Sequence, residues 1–224
     1  MRTNARDLDP ARRLRACVPF FIMFLGLAAA AQAQARVTQY NRNSIHPNSV
    51  TANYPEEDCT VLASTYAIAA NGVTLTFSTG ANSPFQIIRQ TLRNDCSITA
   101  DFPEGTKALA VNTITKAARP PLTIDFSEGV TEVEFQAQIF GFGTERFTFE
   151  VFNGAESLAV FAVEDQMDYT QSGRRGYLGA RAAGADLITR IRIWAEFPDD
   201  AKHNEAVSNK FAIGPVSFQL RRND

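Results

Sequence analysis

The residues best suited to hold a ligand fall in one run, Leu187-Ile188-Thr189-Arg190-Ile191-Arg192-Ile193-Trp194-Ala195-Glu196-Phe197, where apolar and polar residues alternate. A period of two is that of a strand with one buried face. Leu187, Ile191, Ile193 and Phe197 are then expected inward, and Arg190, Arg192, Trp194 and Glu196 share the outer face. An outward indole is a platform for the apolar face of a sugar ring, with guanidinium and carboxylate groups beside it to bond hydroxyls. The competing reading is a ring that covers a strand edge or packs under a loop. The opposite register would bury Arg190 and Arg192 without partners, a cost that favours Trp194 outward. Tyr177 joins this candidate set. With Tyr169, Arg174 and Arg175 it lies in a stretch expected to form a loop at one end of the fold, where binding residues concentrate.

Other chemistries are represented more thinly. Glu56, Glu57 and Asp58, and separately Asp199 and Asp200, are acidic clusters in expected loops. The first is the candidate for a structural Ca²⁺, although neither has the ligand spacing of an EF-hand, and a solvated acidic loop is the competing reading. Glu132 and Glu134 share one strand face, and Glu150 and Glu196 would join them if their strands were neighbours. Two carboxylates in one cleft would suit glycoside hydrolysis, but a solvated face with alternating charge accounts for them more simply. No Gly-x-Ser-x-Gly elbow occurs, since Gln171-Ser172-Gly173 lacks the first glycine. His46 and His203 have no metal-ligating residue three or four positions on. No residue is assigned a catalytic role.

The elements that must position these groups read as strands throughout. Val133, Phe135, Ala137 and Ile139 alternate with Glu132, Glu134, Gln136 and Gln138 from Val130 to Phe142. Phe147, Phe149 and Val151 lead to Asn153-Gly154 and the run Ser157 to Val163, which predicts a hairpin. Val73 to Phe77, Phe85 to Leu92, Leu109 to Thr115, Leu122 to Phe126 and Phe211 to Leu220 are further expected strands. Gly214-Pro215 marks a bulge or an edge within the last of these. Cys59 to Ala70 reads as a short helix or another strand. Eight or nine short strands with no long helical pattern predict an antiparallel β-sandwich over 55–220. Residues 34–54 are expected to form an irregular arm, and 221–224 an exposed tail.

Residues 1–33 read as an address. Five arginines precede the apolar run Val18 to Leu27, and Ala31-Gln32-Ala33 supplies the small-x-small pattern for cleavage after Ala33. Val18 to Ala31 is too short for the ~20 residues of a membrane span. The expectation is a secreted or periplasmic protein. Its mature part holds 17 basic and 22 acidic residues, with two cysteines, Cys59 and Cys96. In an oxidising compartment these are expected to pair, closing a loop of about 37 residues and contributing about 3–4 kcal/mol on the chain-entropy model. The whole chain of 224 residues has a formal charge of −2, which removes the electrostatic argument for nucleic acid.

Phe102-Pro103-Glu104-Gly105-Thr106-Lys107-Ala108-Leu109, Leu122-Thr123-Ile124-Asp125-Phe126-Ser127 and the closing Phe211-Ala212-Ile213-Gly214-Pro215-Val216-Ser217-Phe218 together resemble the secreted bacterial jelly-roll ectodomains related to galactose-binding-like sandwiches. Members of that group often carry a C-terminal Pro-Glu-Pro sorting tail, which this sequence lacks, and Gly214 stands where their last strand has Asp. The resemblance implies that the all-β antiparallel sandwich is a jelly-roll β-sandwich. With the export signal and the absence of a catalytic set, the expected function is a non-catalytic binding module for carbohydrate or a cell-surface partner. A structural subunit of an extracellular matrix or appendage is the alternative, and a polysaccharide-active enzyme the third reading.

Overall fold

The computed structural model describes residues 36–40, 48–79, 84–90, 97–98, 102–112, 121–139, 144–166, 177–196 and 210–221. Its strands are β1 (Val37–Tyr40), β2 (Val50–Ala52), β3 (Val61–Leu62), β4 (Thr65–Ala70), β5 (Val73–Thr79), β6 (Phe85–Gln90), β7 (Ser97–Ile98) and β8 (Lys107–Asn112). Then follow β9 (Leu122–Ile139), β10 (Thr144–Asn153), β11 (Glu156–Gln166), β12 (Tyr177–Ala182), β13 (Ile188–Glu196), β14 (Lys210–Ile213) and β15 (Val216–Leu220). All ladders between them are antiparallel except that of β6 with β7. The fold is therefore the all-β antiparallel sandwich expected, with fifteen strands among the described residues instead of eight or nine. The arm expected to be irregular contributes β1, which pairs with β12, and β2, which pairs with β15. The ambiguous stretch Cys59 to Ala70 is β3 and β4.

One long strand, β9, organises the rest. Its first half pairs with β5 and β13, and β10 and β11 extend that layer. Its second half pairs with β12 on one side and with β15 and β14 on the other, and β8 and β6 continue beyond β14. The side chains between the halves form one core, with Phe77, Ile124, Phe149 and Ile191 facing Leu109, Phe135 and Phe218. Phe126 meets Phe218 edge-on at 6.1 Å between centroids, and Phe147 meets Phe211 at 6.2 Å, so the two layers are joined by aromatic contacts. Gly129, where β9 changes layers, passes so close to Leu187 that an added Cβ would lie 2.7 Å from the leucine Cβ.

Irregularities set the faces. The β9–β15 register shifts between Gln219 and Leu220, and the β9–β13 register between Ile188 and Arg190. A bulge inserts a residue and reverses which parity points inward. Hence Ile188 is in the core while Leu187, expected inward, is half-buried against Gly129. The β10–β11 hairpin forms at Asn153-Gly154 as expected, with Gly154 at φ 59. Gly214-Pro215 separates β14 from β15, which both pair with β9, and the ring of Phe102 lies against Gly214.

Candidate functional site

The outer face of β13 carries the side chains expected there. Ile191, Ile193 and Ala195 are buried, while Arg190, Arg192 and Trp194 are half-buried on the opposite side. The alternation therefore has the expected register over this part of the strand. Trp194 stands opposite Thr148 of β10, and Arg192 stands between Glu150 of β10 and Thr123 of β9. The two arginines each have a partner on a neighbouring strand. Arg190 Nε donates to Asp125 Oδ1 at 2.5 Å, and the Arg192 guanidinium lies 5.0 Å from the centre of the Phe152 ring. Fixing long cations in this way lowers the entropy lost when a ligand is bound. Asp125 and Phe152 were not among the residues singled out from sequence. The signal for Asp125 lay in the alternation of Leu122–Phe126, which turns it outward, and the one for Phe152 lay in the alternation of Phe147, Phe149 and Val151, which turns Phe152 to the face of Arg190. Glu196 ends β13 opposite Arg146, and its side chain lies outside the described residues.

Tyr177 does not belong to this face. It opens β12 opposite Gln136, on the second half of β9 and on the other outer surface of the sandwich. That surface overturns the expectation of a solvated polar face. Glu132 and Glu134 are each 4% exposed, Gln136 is 5% and Gln138 is 3%. Neighbouring strands contribute short residues there, with Gly179 and Ser217 on either side of Glu134 and Ala212 beside Gln138. Both oxygens of Glu132 accept from Arg181, at 3.0 and 3.1 Å, which satisfies its charge away from water. Ser217 meets Thr51 hydroxyl to hydroxyl at 2.9 Å. Glu150 stands on the other layer, so the four glutamates considered from sequence do not share a cleft.

The acidic loop is tied to neighbouring strands by hydrogen bonds and one ion pair. Glu56 accepts from the Tyr66 hydroxyl, and its backbone carbonyl accepts from Lys107. Asp58 Oδ2 accepts from Arg89 Nε at 2.6 Å, while Oδ1 is buried without a partner. Burial, and then the Glu56 carboxylate, push the Tyr66 phenol well above its ordinary range. One orphaned oxygen, on a carboxylate already paired with Arg89, is far from the six to eight oxygens that Ca²⁺ takes. No three carboxylate, histidine or cysteine side chains converge among the described residues. Glu56 and Asp58 are thus already engaged by Tyr66 and Arg89. Cys59 follows them at φ 70, its N–H donating to the Ile87 carbonyl, and Cys96 lies outside the described residues.

No family model matches this chain, and no curated protein matches it. Among solved structures it is similar to a DUF4465 family protein from Bacteroides caccae, at 8% identity and a TM-score of 0.48, covering 78% of this chain and 100% of that one. A second DUF4465 family protein, from Bacteroides ovatus, is 8% identical with a TM-score of 0.35, over 81% of this chain and 98% of its own. The CBM22-2 xylan-binding domain of a Paenibacillus barcinonensis protein is 8% identical with a TM-score of 0.36, over 65% and 91%.

Proposed function

We propose that this chain is a secreted, non-catalytic carbohydrate-binding module that lays a glycan across the outer face of β13. The supporting observation is the accessible set of Trp194, Arg192 and Arg190 on a strand anchored by Ile191 and Ile193. The indole supplies a stacking surface, and the arginines, held by Phe152 and Asp125, supply donors in fixed positions. Residues 1–33 act as the export signal in this reading, and Cys59 pairs with Cys96. Catalysis is the weaker reading because Glu132 is committed through both oxygens to Arg181.

A glycan array probed with the 34–224 chain, with and without Trp194→Ala, tests the proposal. The substitution should abolish glycan capture and leave the melting temperature within a few degrees of wild type. Unchanged capture, or a melting temperature that falls as for a buried ring (about 3–5 kcal/mol), would refute it. Release of reducing ends from any bound polysaccharide would restore the enzyme reading.

A further inference from the structure

β11 runs along one margin of the sheet. Among the described residues its only ladder is with β10, so the backbone groups on its far side face outward. Such an edge is a template for a further strand, which is why natural edges carry charge, proline or very short length. Between Ala159 and Val163 β11 carries none of these, reading Ala159-Val160-Phe161-Ala162-Val163. Val160 is 60% exposed, and the other large apolar side chain left exposed among the described residues is Val61, in the two-residue β3. Phe161 is half-buried, its ring 5.1 Å from that of Phe149.

We propose that β11 pairs antiparallel with β11 of a second copy, about a two-fold axis at Phe161. The register sets Phe161 opposite the partner's Phe161, Val160 opposite the partner's Ala162, and Ala159 opposite the partner's Val163. Every pair in this ladder is apolar, and the core faces of both copies stay on one side of the joined sheet. The alternatives of the same symmetry are worse. Moving the axis to Ala162 sets Val160 against the partner's Glu164 and Ala159 against the partner's Asp165. Moving it to Val160 runs the ladder into the bulge at Leu158, which has no opposite number in β10, where Val151 pairs with Ala159 and Phe152 with Ser157. The same bulge ends the ladder in the favoured register, so the paired stretch is five residues in each copy. The outer face of β13 stays open in this dimer, because β10 separates it from the joined edge. The proposal therefore stands or falls independently of glycan binding.

Sedimentation velocity on the 34–224 chain, from micromolar to near-millimolar concentration, should show mass rising from one chain toward two. Val160→Lys and Ala162→Lys each bring two ammonium groups beside the axis and should raise the dimer Kd at least ten-fold. Both positions are exposed, so the melting temperature at low concentration should not move. Amide exchange from Ala159 to Val163 should slow with concentration in the wild type and not in the variants. A chain that stays monomeric throughout, a dimer indifferent to both substitutions, or a dimer without added protection at Ala159–Val163 would each overturn the proposal.

Discussion

Replacing Arg181 by methionine should test whether the polar surface of the second layer is held together by charge. The carboxylate of Glu132 is 5% exposed and accepts two bonds from Arg181, whose own side chain is 52% exposed. Hydrogen bonds to a charged group contribute about 1.5–3 kcal/mol each, and deleting one partner of a buried pair costs about 3–5 kcal/mol. The exposed guanidinium lowers that figure, because water already reaches one end of the pair. The expected loss is about 2–3 kcal/mol, or about 4–12 °C in melting temperature for a chain of this size. Methionine keeps most of the apolar stem, so lost packing contributes little. Glu132→Gln removes the charge whose desolvation is left uncompensated. The double variant should therefore be more stable than the sum of the single losses implies, with a coupling of about 1–2 kcal/mol. Urea unfolding of the four proteins at pH 7 measures each term. A loss under about 0.5 kcal/mol for Arg181→Met, or an additive cycle, would show that Glu132 is satisfied by something other than Arg181.

Three further outcomes are expected. Gly129→Ala should destabilise the fold by about 1–3 kcal/mol, because its Cβ would meet Leu187 at 2.7 Å, and Leu187→Ala should recover part of the loss in thermal melts. Arg36 bonds Asp186 and Glu156 together, and it holds the Asp186 carboxyl below the usual carboxylate range. The unfolded chain thus takes up this proton more readily, so the contribution is present above pH ~3.9 and is lost as pH falls through the lower native value. Melting curves between pH 6 and 2 should lose that component of the slope in Asp186→Asn. Thiol titration of unreduced, unfolded 34–224 should find no reactive cysteine, and two thiols per chain would refute the Cys59–Cys96 pair.

The sandwich and the outward Trp194 were legible because each depends on short-range alternation, which survives in Ile191–Ala195 and Phe147–Val151. The polar row Glu132 to Gln138 was misread because its pattern is the same whether water or protein covers the face. What distinguishes the two cases is the Arg181 donor on β12, which is 49 residues from Glu132. Leu187 was placed inward because parity reverses between Ile188 and Arg190, and the glycine at that irregularity, Gly129, lies on β9 and not in the run Leu187 to Phe197. Tyr177 was grouped with Trp194 on chemistry, and only the pairing of β12 with the second half of β9 separates them.

The continuity of β9 also bears on how fast the chain can fold. Leu75 must find Phe126, and Ser217 must find Glu134 more than eighty residues away, before either layer has its central strand. Among the described residues, the β10–β11 and β4–β5 hairpins are the antiparallel pairs that can form from local sequence alone. Loop-closure entropy is therefore spent early and returned late, which for topologies of this kind gives folding times on the order of milliseconds to seconds. Neither layer can complete its sheet without β9, so unfolding should proceed as one cooperative event. Substitutions along β9 should slow folding more than they speed unfolding.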